Sequence, residues 1–401
     1  MYVEREIQPK FNDLAKIYPI VAIVGPRQAG KSTFLQKQAG GRDIPALSFD
    51  DPDVKELFNA DIKRFEREHI QGHACVILDE AHQGQEAGSK LKYLADKGHK
   101  LWISSSSETM LDKEVLGHLV GRAGILRLYP FSLPEYLASR KIREATDIVL
   151  GRSVWECMVC GGYPQAVEAE TPEMRREVLR NLFQTMVLKD AARVFRISDV
   201  DALERLARYA SFRIGGVWSH DEASGELGMS FQTLHKYMDA LERSHLLRRV
   251  SPFFTNKIKE IVKAPKLFFI DCGLRNAVAD RFPAGVEAEG ALFENLVFGE
   301  LLKADAPRLR YWRTKAGSEV DFVLEEGGKL LPIEVKTSMP LPKISSGMAA
   351  FIRQYRPKKA CLVFYQGREA EREVDGCKIL YRRLPGLIEQ VKAFSRLNER
   401  G

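Results

Sequence analysis

Residues 25–32 read Gly-Pro-Arg-Gln-Ala-Gly-Lys-Ser, between the apolar run Ile20–Val24 and a stretch of helical character that opens at Lys31. Few short patterns restrict a fold as tightly. Five consecutive apolar residues read as a strand buried on both faces, and the glycine turn ending in Lys-Ser requires a helix to follow it. A strand covered on both faces belongs to a parallel sheet flanked by helices, so the first third of the chain is expected to be α/β. Gly25 and Gly30 let the loop through Pro26, Arg27, Gln28 and Ala29 turn successive N–H groups toward one point. The start of the next helix, from Lys31 through Ser32 and Thr33, adds its positive dipole. The ligand that suits such a cradle is a nucleoside triphosphate, ATP, with Lys31 reaching its terminal phosphates and the Ser32 hydroxyl on Mg²⁺.

Four more short apolar runs follow, at 46–49, 75–78, 101–103 and 124–128. The second leads into Asp79 and Glu80. Asp79 at a strand end suits the magnesium water shell, and Glu80 is placed to orient or deprotonate an attacking water. The letters Asp-Glu-Ala-His at 79–82 suggest a helicase box, but its companion motifs are absent, and His82 is set aside. The third run ends in four serines, 104–107, of which Ser106 is the candidate γ-phosphate sensor. Arg122 precedes the last strand and is either a surface arginine or a residue that reaches a neighbouring subunit's ATP.

Taken with REIQPKF, LSFDDP and GRAGILRLYPFSLPEYL, these segments resemble the AAA-type ATPases of bacteria and archaea that carry a C-terminal domain of unknown function. The similarity continues through GGYP, KAPKLFFIDCGL, YWRTKAGSEVDFV and PIEVKTS. One departure is SSSS, where that family more often has Thr-Gly-Ser-Ser. The resemblance implies an AAA+ sheet order, ATP and Mg²⁺ as cofactors, and a homo-oligomer, with a hexameric ring among its forms.

Four regions are expected: an AAA+ P-loop ATPase domain over 1–135, a helical lid or connector over 136–199, a winged-helix-like module over 200–285, and a C-terminal restriction-endonuclease-like α/β domain over 286–401. A chain of 401 residues exceeds what one core usually supports. With 45% hydrophobic and 29% charged residues it has the composition of a folded soluble protein. No run approaches the ~18 apolar residues of a membrane span, so no membrane association is expected and the cytoplasm is the expected compartment. Six cysteines do not make a disulfide framework, and Cys157 and Cys160 have no partner set at zinc spacing.

The stretch 219–250 has a helix, a turn at Gly228 and a second helix behind Ser230. Leu234, Met238 and Leu241 are spaced to face a core, which turns Gln232, Thr233, His235 and Lys236 outward. Arg248, Arg249, Lys257, Lys259 and Lys263 then lie on or near a basic, aromatic hairpin, where they could meet DNA phosphates. This resembles a winged helix; such modules also dock proteins. A net charge of +7 permits an acidic partner such as DNA, duplex or branched.

Residues 319–336 read as a hairpin with Asp321 on one strand, Gly327-Gly328 at the turn, and Glu334 and Lys336 sharing a face of the other. With Glu294 from the preceding helix they resemble the PD-(D/E)xK nuclease core, Val320 replacing its usual proline. The resemblance implies two carboxylates for Mg²⁺ and a lysine to activate water, in a fold that outlasts its chemistry in many proteins. The expected function is a Mg²⁺-dependent AAA+ ATPase acting on DNA, as an oligomeric motor or DNA-processing ATPase. The alternatives are an ATP-driven switch for a protein partner in defence or regulation, and a nuclease licensed by ATP.

Overall fold

In the computed structural model, which describes residues 2–41, 43–106, 117–186, 191–192, 195–254, 264–283 and 290–395, the five N-terminal apolar runs form one parallel sheet. Its strands are β1 (Ile20–Val24), β2 (Ala46–Ser48), β3 (Val76–Asp79), β4 (Leu101–Ser105) and β5 (Ala123–Arg127), in the order β2-β3-β4-β1-β5. β4 therefore lies between β1 and β3, with Ile20 level with Leu101 on one side and Ala123 on the other. Alternation along β1 explains why the run has no polar residue. Ile20 and Ala22 enter a core with Leu78, Leu91 and Ile103, whereas Val21 and Ile23 enter the opposite core with Phe11, Phe34 and Trp102. Phe11 meets Phe34 and Trp102 edge-on, with ring centroids 5.2 and 5.1 Å away. Burying each such aromatic contributes roughly 1.5–3 kcal/mol.

The chain divides into two compact units, Met1–Phe131 with Arg243–His245, and Ser132–Glu242 with Leu246–Gly401. The second opens with helices. Helix Asp147–Cys160 ends at Gly161, whose φ of 68° and close approach to Asp271 both require glycine: a Cβ there would lie 2.0 Å from Asp271 Oδ1. Asp271 also accepts the Gly162 N–H at 2.7 Å and caps helix Cys272–Ala279 through the Leu274 N–H at 2.9 Å. The GGYP and IDCGL segments thus meet as packing partners. Cys157 is buried in this region and Cys160 is half-buried, both as free thiols.

Helix Val200–Ser211 is followed by Val217, which bridges to Lys266, then by helix His220–Leu227, which ends at Gly228 with φ 62°. Helix Phe231–Arg243 begins beside Ser230, whose hydroxyl accepts the Thr233 N–H at 3.1 Å. Strands β6 (Leu247–Val250) and β7 (Lys266–Phe269) pair antiparallel. Lys257, Lys259 and Lys263 lie outside the described residues.

The remaining strands, β8 (Arg310–Arg313), β9 (Glu319–Glu326), β10 (Lys329–Met339), β11 (Lys359–Gly367), β12 (Ala370–Val374) and β13 (Cys377–Arg382), form a mixed sheet in the order β12-β13-β11-β10-β9-β8. The β9–β10 hairpin turns at Gly327 and Gly328, both at positive φ, and β10 pairs parallel with β11 after helix Ser346–Tyr355. No helix among the described residues is long and apolar enough to cross a membrane.

Candidate functional site

The loop after β1 lies at the C-terminal edge of the parallel sheet, where ligands of open α/β sheets bind. Two of its conformations explain its glycines. Gly30 has φ 95°, closed to residues with a Cβ, while Gly25 passes so near β5 that a Cβ would sit 2.0 Å from the Leu128 carbonyl oxygen. Gln28 also takes a left-handed φ of 57° and is exposed, as is Thr33; Arg27 is half-buried, and Pro26 and Ala29 are buried.

Lys31, on helix Lys31–Ala39, reaches back across the loop and donates to the Gly25 and Pro26 carbonyls at 3.0 and 2.9 Å. Ser32 donates its hydroxyl to Asp79 Oδ1 at 2.8 Å. Glu80 is buried in left-handed backbone, φ 55°, with Oε1 4.0 Å from Lys31 Nζ. Burial works against its charge, but His82, Lys31 and the Ser106 amide outweigh that and hold its carboxyl down at about 2. A hydroxyl and a carboxylate side by side are the hard oxygen donors that Mg²⁺ takes, so the residues fit that ion. The adjacent lysine and the N-terminus of its helix suit phosphates.

The central position of β4 brings the serine run to both partners. The Ser105 carbonyl accepts the Gly25 N–H at 3.2 Å, the Ser104 hydroxyl hydrogen-bonds Asp79 and accepts the Glu80 N–H at 3.1 Å, and the Ser106 N–H donates to Glu80 Oε2 at 2.9 Å. Ser106 therefore enters this network through its backbone amide, and Ser104 is the serine whose side chain meets the acidic pair. His82 also belongs here, its Nδ1 3.1 Å from Glu80 Oε2. Arg5 was not foreseen. Its buried guanidinium donates to the Ala29 carbonyl at 2.8 Å and to the Tyr129 carbonyl, and stacks over Phe131, bracing the loop from below. Arg122 is not brought to this loop. It precedes β5 at the opposite edge of the sheet, where Nε donates to Asp96 at 2.5 Å.

In the second unit Leu234, Met238 and Leu241 are buried as the spacing requires, and Gln232, His235 and Lys236 are exposed. Thr233 is half-buried with its hydroxyl 2.9 Å from that of Ser230, and Lys236 Nζ donates to the Arg196 carbonyl at 3.2 Å. Arg248 is half-buried. Arg249, expected at phosphates, is instead bound internally to Asp239 at 2.5 Å and Glu242 at 2.6 Å, and its guanidinium faces the preceding helix, Phe231–Arg243.

Of the four C-terminal residues, Glu294 and Asp321 meet at a fifth that the sequence reading missed, and Glu334 and Lys336 pair with each other. Lys266, 2% exposed, places Nζ 2.9 Å from Glu294, against Glu319, and 3.8 Å from Asp321. Asp321 Oδ2 accepts the Val335 N–H at 2.7 Å; Glu334 pairs with Lys336 at 2.9 Å and accepts the Ser345 hydroxyl at 2.8 Å. The carboxylate oxygens are turned to protein donors rather than to one another. This does not fit the divalent ion that the nuclease resemblance implies, and no group of three or more acidic, histidine or cysteine side chains among the described residues is arranged to hold a metal.

Residues 18–137 match the family model described as an AAA domain, residues 151–285 a domain of unknown function (DUF8612), and residues 289–382 another (DUF4143). With the loop, the acidic strand end and the parallel sheet, the first match supports an AAA-type ATPase as the class of the N-terminal unit. An uncharacterized protein of Haemophilus influenzae is 24% identical over 95% of this chain and 96% of its own length, and one of Mycobacterium tuberculosis is 24% identical over 86% and 76%. Among solved structures, the Walker-type ATPase PABY2304 of Pyrococcus abyssi is similar with a TM-score of 0.48 at 15% identity, covering 69% of this chain and 96% of that one. The Aeropyrum pernix ORC2 protein gives 0.35 at 12%, over 75% and 97%.

Proposed function

We propose that this chain is a Mg²⁺-dependent ATP hydrolase of the AAA+ class that acts on DNA as a homo-oligomer. The observation that carries it is the convergence of Lys31, Ser32, Asp79 and Glu80 at one sheet edge. Lys31 would leave the loop carbonyls for the terminal phosphates, and Ser32 and Asp79 would hold Mg²⁺, which neutralises charge developing on the transferred phosphoryl group. Glu80, ionised at all ordinary pH, is suited to orient water by accepting its hydrogen bond; a carboxylate so acidic is a poor proton acceptor.

Action on DNA is supported by the sequence of elements from Val200 to Phe269, helix, bridge, two helices and hairpin, which resembles that of a winged helix. Gln232, His235 and Lys236 stand on the solvent side of its third helix, the side a groove would meet.

The test is ATP turnover by the full chain, alone and with duplex, single-stranded and branched DNA at low salt. Turnover that requires Lys31 and rises with at least one DNA form is the expected result. A Lys31→Ala variant that hydrolyses ATP as fast as the parent would overturn the ATPase reading, and indifference to every DNA form would overturn the action on DNA.

A further inference from the structure

An ammonium 2% exposed to solvent is tolerated only where carboxylates replace its lost water. Lys266 has three: Glu294 at 2.9 Å, Glu319 in direct contact and Asp321 at 3.8 Å, while its stem passes the Tyr311 ring, 5.7 Å from Nζ to the centroid. Its charge stands where a metal ion would have to stand to bridge Glu294 and Asp321.

We propose that Lys266 is the resident cation of this cluster, filling the seat of a divalent ion between Glu294 and Asp321, so that the C-terminal domain binds no Mg²⁺ there and does not cleave DNA by metal-assisted hydrolysis. Three observations converge on it. The lysine reaches the cluster from β7, outside the β8–β13 sheet, and β7 is fixed on both sides, by Val250 of β6 and by the Val217 bridge. The second oxygen of Asp321 is engaged by the Val335 amide, and both oxygens of Glu334 are engaged by Lys336 and Ser345. Arg313 stands 3.6 Å from Glu319 and adds a further positive charge at the rim, unfavourable for a dication. The cluster is thus an ion-pair core that ties the β6–β7 hairpin to β9 and to helix Gly290–Lys303, with Lys266 as its positioning residue.

The probe is Mn²⁺, counted by the paramagnetic resonance signal of the free ion, with the full chain and without nucleotide. Parent and Asp321→Asn should bind the same number of ions. Lys266→Met should gain one site, and Lys266→Met with Asp321→Asn should lose it again. A parent that gives up a bound Mn²⁺ on Asp321→Asn would overturn the proposal, as would a folded Lys266→Met that gains none. If Lys266→Met does not fold, nicking of supercoiled DNA by the parent in Mn²⁺ decides. No nicking beyond that of a Glu334→Gln control is expected, and nicking that Glu334→Gln abolishes would overturn the proposal. None of these readouts depends on ATP turnover, so they stand or fall apart from the ATPase reading.

Discussion

Glu80 Oε1 lies 4.0 Å from Lys31 Nζ, so the acid at the end of β3 and the lysine of the phosphate loop form a buried pair across the sheet edge. The pair is held open from both sides: Lys31 rests on two loop carbonyls, and Glu80 on the Ser106 amide and His82. A nucleotide's phosphates would replace carbonyls, neutral acceptors that hold the ammonium less strongly than an anion does.

Glu80→Gln keeps the shape and removes the charge. Turnover is expected to fall by roughly 10²–10³, the usual loss for one group that acts on the transition state, with nucleotide binding retained. Equilibrium binding of a fluorescent ATP analogue beside steady-state hydrolysis checks both halves. The depressed carboxyl, about 2 in the fold against an ordinary 4.5, stabilises the domain at neutral pH. That contribution is complete above about pH 4.5 and disappears as pH falls toward 2, so the parent should lose stability on acidification that Glu80→Gln does not. Denaturant unfolding between pH 6 and 3 measures it.

Ser104 and Ser106 separate two ways of using a serine. Ser104→Ala removes the hydroxyl that joins Asp79 to the Glu80 amide, and about 1–2 kcal/mol of lost hydrogen bonding corresponds to a drop of roughly tenfold in turnover. Ser106→Ala retains the backbone amide that Glu80 uses and should stay within about threefold of the parent. Equal losses for both would show that the Ser106 hydroxyl acts directly.

Gly25→Ala tests the loop's footing on β5. A Cβ would lie 2.0 Å from the Leu128 carbonyl oxygen, a backbone atom that cannot swing aside, so the loop itself must move. Nucleotide affinity should fall at least tenfold, and the melting temperature should drop by several degrees, as expected for a strain of about 2 kcal/mol. Titration calorimetry and a thermal melt read the two.

These residues show how far the sequence reached. The strand–loop–helix unit and Asp79-Glu80 were legible because each lies within a few residues of a buried strand, and local spacing fixes which end of that strand they occupy. Ser104's role was not legible, since it depends on β4 lying between β1 and β3, and sheet order leaves no mark on local pattern. Arg5 was hidden for the same reason: its carbonyl partners, Ala29 and Tyr129, are 24 and 124 residues away. In the C-terminal domain the β9–β10 hairpin announced itself through Gly327-Gly328, and alternation put Glu334 and Lys336 on one face. Lys266 carries no such signal, because a lysine opening an apolar strand ordinarily points to water. Arg249 was misread as a phosphate ligand because its acids, Asp239 and Glu242, are on the preceding helix, and only the turn into β6 folds it back on them.

The acids buried beside Lys266 contribute stability that is lost as pH rises rather than as it falls. Burial pushes the Glu294 carboxyl up to about 7, since one lysine shared with Glu319 and Asp321 cannot offset the desolvation of every carboxylate; burial raises Asp321 as well. For an acid raised above its ordinary 4.5, the folded state holds the proton longer than the unfolded chain does. The stability it contributes is therefore fully present below about pH 4.5 and is lost as pH rises through about 7. Glu294→Gln, which imitates the protonated form and still offers Lys266 an oxygen, should remove much of that fall. Between pH 5 and 8 the parent's unfolding free energy should decline relative to the variant's by on the order of 1 kcal/mol. Urea titrations of both proteins at the two pH values would show it, and parallel pH profiles would mean that Glu294 is ionised throughout and fully compensated by Lys266.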